Sequence, residues 1–301
     1  LPVVLRGRKR SAGNRSHNRK ATGCPPLKRR ASFDEPTIKI CFPIAETDRL
    51  CYNIGRQKEV AMKIIVTKDY EELSASAARV MLEVVKNNPY AVLGLATGTT
   101  PLGLYAYMIA DHEKHGTSYA HIRTVNLDEY KGLAKTHPQS YAYFMRKNLF
   151  DGLDIDPENT SIENGMAADE EKECARYDEL LEQLPRDIQL LGLGSNGHIA
   201  FNEPGTPFGS GTHVVTLAES TVKDNARLFD DISEVPRKAF TMGIRQIMQA
   251  KKILILASGA NKAEAVCKMA KGKVTESVPA SVLQLHPDCT LIVDRAAAAN
   301  L

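Results

Sequence analysis

The stretch GSNGHIAFNEP (194–204) places an imidazole, an amide and a carboxylate in one short segment of the chain. It follows the apolar run IQLLGL (188–193), which is typical of a buried strand. His198 could exchange a proton with a substrate oxygen while Glu203, with Asn196 nearby, holds the imidazole tautomer. The same residues also fit a tight polar loop, so only their surroundings can favour one interpretation.

Zinc binding is the other chemistry that a histidine and a glutamate can support. The remaining histidines of residues 62–301 are scattered along the chain, and none stands at ligand spacing from His198. We therefore predict no metal ion and no other cofactor at this site.

A pair of acidic residues follows another predicted strand. The segment NLDEY (126–130) contains Asp128 and Glu129, and a carboxylate at this place could remove a proton from carbon. Adjacent strand residues point to opposite sides, so we expect only one of the two to face a cleft. A solvated loop pair is the alternative interpretation.

The segment TGTTP precedes a predicted helix and has the composition of an anion-binding turn. Its residues are Thr97, Gly98, Thr99, Thr100 and Pro101. Hydroxyls, free N–H groups and the positive end of the helix dipole could together hold one phosphate. Lys262, in the segment SGANK (258–262), could add a charge to the same anion. An ordinary helix cap and an exposed lysine are the alternatives.

Strands and helices alternate along residues 62–301. Apolar runs predict strands at 63–67, 91–97, 122–127, 188–194, 212–217, 251–257 and 289–294. Helices are predicted at 69–87, 101–115, 138–149, 167–183 and 260–271. This order predicts an α/β protein with a mainly parallel sheet. Ligands bind beyond the carboxyl ends of such strands, so the polar segments above should converge there.

Charge divides the chain at residue 61. Residues 1–61 contain 14 Lys and Arg against 5 Asp and Glu, whereas residues 62–301 contain 25 against 31. The basic extension lacks periodicity and we expect it to be disordered, while the acidic remainder argues against nucleic acid as a partner. QKEVAM (57–62) could be encoded by DNA that resembles a ribosome-binding site ahead of Met62, which predicts that the extension is not part of the natural protein.

Cysteine usage and hydropathy indicate the compartment. The three cysteines of residues 62–301 are widely spaced, which predicts neither a disulfide framework nor a zinc site and fits a reducing cytoplasm. No apolar run approaches the length of a membrane span, so we expect no membrane partner.

Five motifs together give the chain a resemblance to the glucosamine-6-phosphate deaminase family. They are LGLATGTTPLGLY, VNLDEYKGL, HPQSYAYFM, GLGSNGHIAFNEPG and VPASVLQLHP, in that order. The resemblance covers essentially all of residues 62–301. It implies a modified Rossmann-like α/β/α sandwich that converts D-glucosamine 6-phosphate and water into D-fructose 6-phosphate and ammonia without metal or redox cofactor.

The same resemblance implies roles for individual residues. His198 matches the group that opens the sugar ring, assisted by Glu203 and by the residue at Asn196, and Asp128 matches the base that takes the C2 proton. The residues that match the family's phosphate clamp are Thr97, Gly98, Thr99, Thr100, Arg227 and Lys262. Arg227 matches a position in the family's lid segment.

Two departures from the family pattern affect regulation and catalysis. Some members have Asp where this chain has Asn196, so Glu203 should bear more of the task of orienting His198. Allosteric members use an Arg and a Lys just after the FNEP loop, whereas SGTHVVTL (210–217) offers His213 and Val215. We therefore expect no allosteric activation. The given sequence also ends soon after LIVD (291–294), without the tail of the hexameric members, so we expect a monomer or small homo-oligomer rather than a hexamer.

Two other functions share parts of this pattern. A 6-phosphogluconolactonase has a similar Gly-His loop, but would be expected to continue Ala-Ser-Leu-Phe-Pro where this chain has AFNEP (200–204). A sugar-phosphate-sensing regulator would need a DNA-binding domain, and residues 1–61 show no helix-turn-helix pattern.

Overall fold

The computed structural model describes residues 62–217, 229, 231 and 234–301, together with two short strands in the basic extension. Those strands, β1 (Lys39–Cys41) and β2 (Cys51–Asn53), pair with each other in antiparallel register. The predicted disorder of the rest of the extension lies outside the described residues, and so does Arg227.

A seven-stranded sheet in which every pair is parallel forms the centre of the fold. Its members in chain order are β3 (Lys63–Thr67), β4 (Val92–Leu95), β5 (Arg123–Asn126), β7 (Thr160–Ser161), β8 (Ile188–Gly192), β11 (Ile253–Ala257) and β12 (Cys289–Asp294). Their spatial order is β3-β12-β11-β8-β4-β5-β7. Strands β4, β11 and β12 are buried at every position, as expected for apolar runs covered on both faces. The predicted α/β fold with a mainly parallel sheet is confirmed.

Helices flank this sheet. They are α1 (Tyr70–Asn87), α2 (Leu102–His115), α3 (Tyr141–Asn148), α4 (Glu170–Gln183), α5 (Ile244–Ile247) and α6 (Ala263–Lys271). The starts of α1 and α4 are encoded locally, because Asp69 and Asp169 each accept a hydrogen bond from a backbone N–H of the first turn. Leu73 and Met81 of α1 and Tyr177 of α4 are fully buried in the main core.

A second, antiparallel sheet of three strands lies beside the first. Its order is β6 (Asp128–Tyr130), β10 (Lys238–Thr241) and β9 (His213–Thr216). The chain bends at Leu127 between β5 and β6, and the Leu127 carbonyl accepts a 2.7 Å hydrogen bond from Met242 N. The sequence predicted β9 but neither β6 nor β10. Strand β9 lies within the apolar run THVVTL (212–217), whereas β6 (DEY) begins with two charged residues and β10 (KAFT) lies in no such run.

Cys174, Cys267 and Cys289 are free thiols, as their spacing predicted. Among the described residues, no helix combines the length and apolar character needed to cross a membrane.

Candidate active site

Three of the polar segments meet around two aromatic rings. Phe201, in the loop after β8, stacks on Tyr141 with ring centroids 6.2 Å apart. The Phe201 N–H donates to Thr241 Oγ1 at 3.1 Å, and Thr241 pairs with Asp128 across β10 and β6. The Tyr141 hydroxyl donates to the Tyr130 hydroxyl at 3.2 Å, and the Thr97 side chain lies near enough to lower the pKa of Tyr141, although burial raises that pKa more strongly. The structure therefore brings the TGTTP turn, Asp128 and the His198 loop to one edge of the main sheet.

Glycines let the loop after β8 hold His198 close to the backbone. A Cβ at Gly194 would lie 2.5 Å from three atoms of the His198 ring, so the imidazole packs directly on the glycine. Gly194 N also donates to the His198 carbonyl at 2.9 Å, which closes the loop. Gly197 has φ +90°, a conformation that favours glycine, and its carbonyl accepts a hydrogen bond from Ala280 N. A side chain at residue 194 would displace the imidazole.

His198, Glu203 and Asn196 form one cluster. Nδ1 of His198 lies 3.3 Å from Oε1 of Glu203, at ion-pair distance, but the angle falls outside hydrogen-bond geometry. Asn196 Nδ2 donates to Oε2 of Glu203 at 2.7 Å. The interaction with His198, helped by Asn196 and opposed by burial, holds the pKa of Glu203 below its usual value. Because the His198 side chain is 35% exposed, a ligand can reach the imidazole.

Asp128 and Glu129 have different surroundings although they are neighbours in the chain. Glu129 is 1% exposed and accepts hydrogen bonds from Tyr130 N, Tyr141 N and Ala142 N at 2.7–2.9 Å, so it anchors the start of α3. Asp128 is 7% exposed, and burial together with the nearby Glu129 charge raises its pKa to about 8. A carboxyl group with this pKa can both take and return a proton near neutral pH.

Tyr70 shapes the TGTTP turn. Its single hydroxyl proton is shared between the carbonyls of Thr99 and Thr100, each 3.0 Å away, and its oxygen accepts from Gly103 N at 2.9 Å. Gly98 has φ +91° and no atom within 4 Å of where its Cβ would be. No described residue accepts a hydrogen bond from the N–H groups of residues 98–100. These donors, just before α2, suit an anion.

Comparison with known proteins decides the family. Residues 68–292 match the model of the glucosamine-6-phosphate isomerases/6-phosphogluconolactonase family. The chain belongs to this family.

Two bacterial glucosamine-6-phosphate deaminases are similar to this chain over most of their length. The glucosamine-6-phosphate deaminase of Clostridium perfringens strain 13 is 52% identical over 79% of this chain and 98% of its own length. That of Thermoanaerobacter pseudethanolicus is 51% identical over 79% of this chain and 94% of its own.

Solved structures agree with this placement. A monomeric glucosamine-6-phosphate deaminase superposes with a TM-score of 0.77 at 51% identity, covering 80% of this chain and 100% of its own. The 6-phosphogluconolactonase of Trypanosoma brucei superposes with a TM-score of 0.66 at 22% identity, covering 80% and 98%, and shares the fold.

Lys262 stays a predicted member of the phosphate clamp, and the structure describes its position. It follows β11 and ends a short turn before α6, where its N–H donates to the Gly259 carbonyl. Burial of the amine lowers the pKa of Lys262, and no described residue forms an ion pair with it. The structure gives no contact between Lys262 and the TGTTP turn, so an anion would have to bridge them.

Two residues that the sequence analysis did not single out, Tyr141 and Glu163, lie near Asp128 in the candidate site. Tyr141 lies within the quoted motif HPQSYAYFM, and its position beside Thr97 and Asp128 comes from the fold. Glu163 is fully buried with neither carboxyl oxygen hydrogen-bonded to a described residue, and burial followed by the Asp128 charge raises its pKa well above the usual value. Nothing in the local sequence SIEN (161–164) indicates that burial.

The donor groups of the described residues do not form a metal site. Within the described parts of the chain, no three His, Cys, Asp or Glu side chains are grouped so that they could hold a metal ion. The absence of a cofactor stays a prediction.

Proposed function

We propose that this chain is a glucosamine-6-phosphate deaminase, which converts D-glucosamine 6-phosphate and water into D-fructose 6-phosphate and ammonia. One observation carries the proposal. Two separate acid–base groups, the His198–Glu203 pair and the buried Asp128, lie at one sheet edge of a chain 52% identical to such a deaminase. The reaction needs two such groups, because the sugar ring must open before a proton can leave carbon.

His198 is proposed to open the ring. The imidazole takes the proton of the C1 hydroxyl and delivers a proton to the ring oxygen as the bond between C1 and that oxygen breaks, which leaves an open-chain aldehyde. Glu203 stabilises the imidazolium that forms between the two transfers. Asn196 holds Glu203 in place through its 2.7 Å hydrogen bond.

Asp128 is proposed to move the proton between carbons. Its carboxylate takes the proton from C2, and the electron pair forms the C1–C2 double bond. The C1 oxygen takes a proton from the ammonium group on C2, which gives an enol that carries a neutral amine. The proton then returns to C1 as the C2–N double bond forms. Water adds to this C2 iminium group, and ammonia leaves to give the ketone. The raised pKa of Asp128, about 8, favours holding the proton between the two transfers.

The phosphate is proposed to be bound by the TGTTP turn, Lys262 and Arg227. This binding is remote from C1 and C2, so its energy can be spent on orienting the reacting carbons. The observations that support this role are the unpartnered N–H groups of residues 98–100 and the half-buried Lys262 amine.

An assay of ammonia release tests the function. The chain should release ammonia from D-glucosamine 6-phosphate, and Asp128→Asn should abolish most of this release without preventing folding. Hydrolysis of 6-phosphogluconolactone without ammonia release would instead indicate a 6-phosphogluconolactonase. If the chain showed neither activity, a sugar-phosphate-sensing regulator would be the better interpretation.

We also propose that residues 62–301 form one catalytic domain that works in the cytoplasm as a monomer or small homo-oligomer, independent of nucleic acid. The similarity to a monomeric deaminase structure supports the oligomeric part. A chain starting at Met62 should keep the activity and melting temperature of the full chain and elute from size exclusion below hexamer size. A large loss of stability would show that the extension packs on the domain.

A further inference from the structure

A cavity of about 350 Å³ lies beside the proposed active site, at the end of the main sheet formed by β5 and β7. None of the proposed catalytic or phosphate-binding residues that the structure describes lines this cavity. Its volume falls within the range of small-molecule sites, about 300–1,000 Å³. A ligand could therefore bind here separately from the substrate.

Asn126 gives the cavity a buried hydrogen-bond donor. This residue ends β5 and lines the cavity, is 2% exposed, and its side-chain Nδ2 has no described hydrogen-bond partner. Its backbone carbonyl is fixed by a 2.6 Å hydrogen bond from the Tyr177 hydroxyl. Buried polar groups are normally paired, and an oxygen acceptor placed in the cavity would pair this amide.

The charge around the cavity is positive. Lys135 and Arg146 both line it, and neither forms an ion pair with a described residue. The guanidinium of Arg146 is held over the ring of Tyr143, 5.1 Å from its centroid. Asp151 is the only acidic residue of the described lining, and Lys147 pairs with it at 2.9 Å. The lining therefore presents two cations without a described ion pair, and the Lys135 charge also interacts with Glu129 and Glu173, which lie outside the lining.

The rest of the lining suits a small hydroxylated molecule. Hydroxyl groups come from Thr136, Thr160 and Ser161, and apolar surface comes from Met145 and Phe150. Hydroxyls can exchange hydrogen bonds with a polar carbon skeleton, and the apolar side chains can cover its C–H groups.

We propose that this cavity is a second ligand site that binds a small metabolite through a phosphate or carboxylate group. Arg146 and Lys135 hold the oxyanion at the mouth of the cavity, since a guanidinium fork matches both groups. The Asn126 amide donates to the ligand at the buried end. The site is distinct from the proposed substrate phosphate site, because it lies on the other side of β5 from β4 and shares no residue with it.

Site-resolved spectroscopy of the full chain tests the proposal. ¹H–¹⁵N spectra are recorded during titration with inorganic phosphate and, separately, with succinate, and the side-chain amide signal of Asn126 is identified by its loss in Asn126→Asp. If that variant does not fold, selective labelling of asparagine replaces it. We expect a saturable shift of this signal with at least one probe, and the better probe tells phosphate from carboxylate.

Matched variants locate the bound anion. Lys135→Ala/Arg146→Ala should weaken the binding seen at Asn126 at least tenfold. Lys114→Ala/Lys271→Ala removes two exposed cations elsewhere and should change it less than twofold. An anion at the substrate site that only influences Asn126 indirectly would bind equally well to both variants, and this result would overturn the proposal. Absence of any Asn126 shift with both probes would also overturn it.

Discussion

Asn196 and Glu203 are joined by a 2.7 Å hydrogen bond from Nδ2 to Oε2, which leaves the other carboxylate oxygen 3.3 Å from Nδ1 of His198. An uncharged amide thus fixes the orientation of the carboxylate that faces the imidazole. The negative charge of the cluster resides on Glu203, whose pKa is held below its usual value by His198. We therefore expect Glu203, rather than Asn196, to stabilise the positive charge that His198 gains in the proposed ring opening.

Replacement of Glu203 tests that role. Glu203→Gln keeps the shape but removes the charge, and the loss of a charge-assisted interaction worth about 1.5–3 kcal/mol should lower kcat/KM roughly ten- to a hundredfold. Asn196→Ala removes a neutral donor to Glu203 and a neutral acceptor of the His198 N–H but no charge, so it should lower kcat/KM less. Steady-state kinetics of ammonia release measure both variants. Equal activity of Glu203→Gln and the unchanged enzyme would show that the Glu203 charge does not assist His198.

The pH dependence of the proposed carbon base follows from its burial. Asp128 acts as a base only when ionised, and its pKa is raised to about 8. We expect kcat to rise with pH and to level off above about 8, because the ionised fraction grows over this range. A rate profile that is flat from about pH 6 to 9 would contradict a base with this pKa.

The same raised pKa has a cost in stability. Asp128 holds its proton in the folded chain up to about pH 8, while an unfolded Asp ionises near 3.8, so the folded state binds more protons between these values and stability falls as pH rises. Asp128→Asn cannot ionise. This variant should raise the melting temperature by a few degrees at pH 8 and change it little at pH 4. For a protein of this size, about 1 kcal/mol of added unfolding free energy raises the melting temperature by about 2–4 °C. Glu158→Gln replaces an exposed carboxylate and is the control, which should leave the melting temperature unchanged at both pH values. Equal shifts of the melting temperature by Asp128→Asn at pH 4 and pH 8 would contradict a raised pKa.

Much of this arrangement could be predicted from local sequence. The apolar runs of β8 and β11 are long enough to mark buried strands, and parallel strands place the loops after their carboxyl ends at one edge, so His198 and Lys262 could be assigned to the same region. Helix α1 begins within one residue of the start predicted at 69, and its Asp69 cap acts within one turn. Helix α4 begins at Glu170 rather than at the predicted 167, because the cap that starts it is Asp169.

The surroundings of Asp128 could not be predicted in this way. Its burial depends on pairing with Thr241 in β10, which lies more than a hundred residues later in the chain. Glu163 is buried beside it by the same tertiary packing. The sequence therefore indicated a carboxylate at the end of a strand, but not the raised pKa that suits it to be a base.

Lys262 offers a test of the proposed phosphate clamp. Lys262→Ala removes a half-buried amine that has no described ion-pair partner. A charge-assisted contact with the substrate phosphate is worth about 1.5–3 kcal/mol, so its loss should lower kcat/KM roughly ten- to a hundredfold. Lys268→Ala, on α6 and paired with Glu264 at the surface, is the matched control and should have no effect. Equal kinetics of the two variants would exclude Lys262 from the clamp.

Regulation by a second sugar phosphate at the position used by activated relatives is not expected here. His213 and Val215 lie on β9, where their backbones pair with β10, and Nδ1 of His213 already contacts the Gly211 carbonyl at 2.8 Å. An activator must bind one state better than another, and this segment offers a phosphate one half-buried imidazole already engaged by its own loop. We expect hyperbolic kinetics that N-acetylglucosamine 6-phosphate does not change. Initial rates measured across substrate concentrations, with and without this compound, test the prediction. A sigmoidal curve that becomes hyperbolic when the compound is added would contradict it and would require an activator site built from other residues.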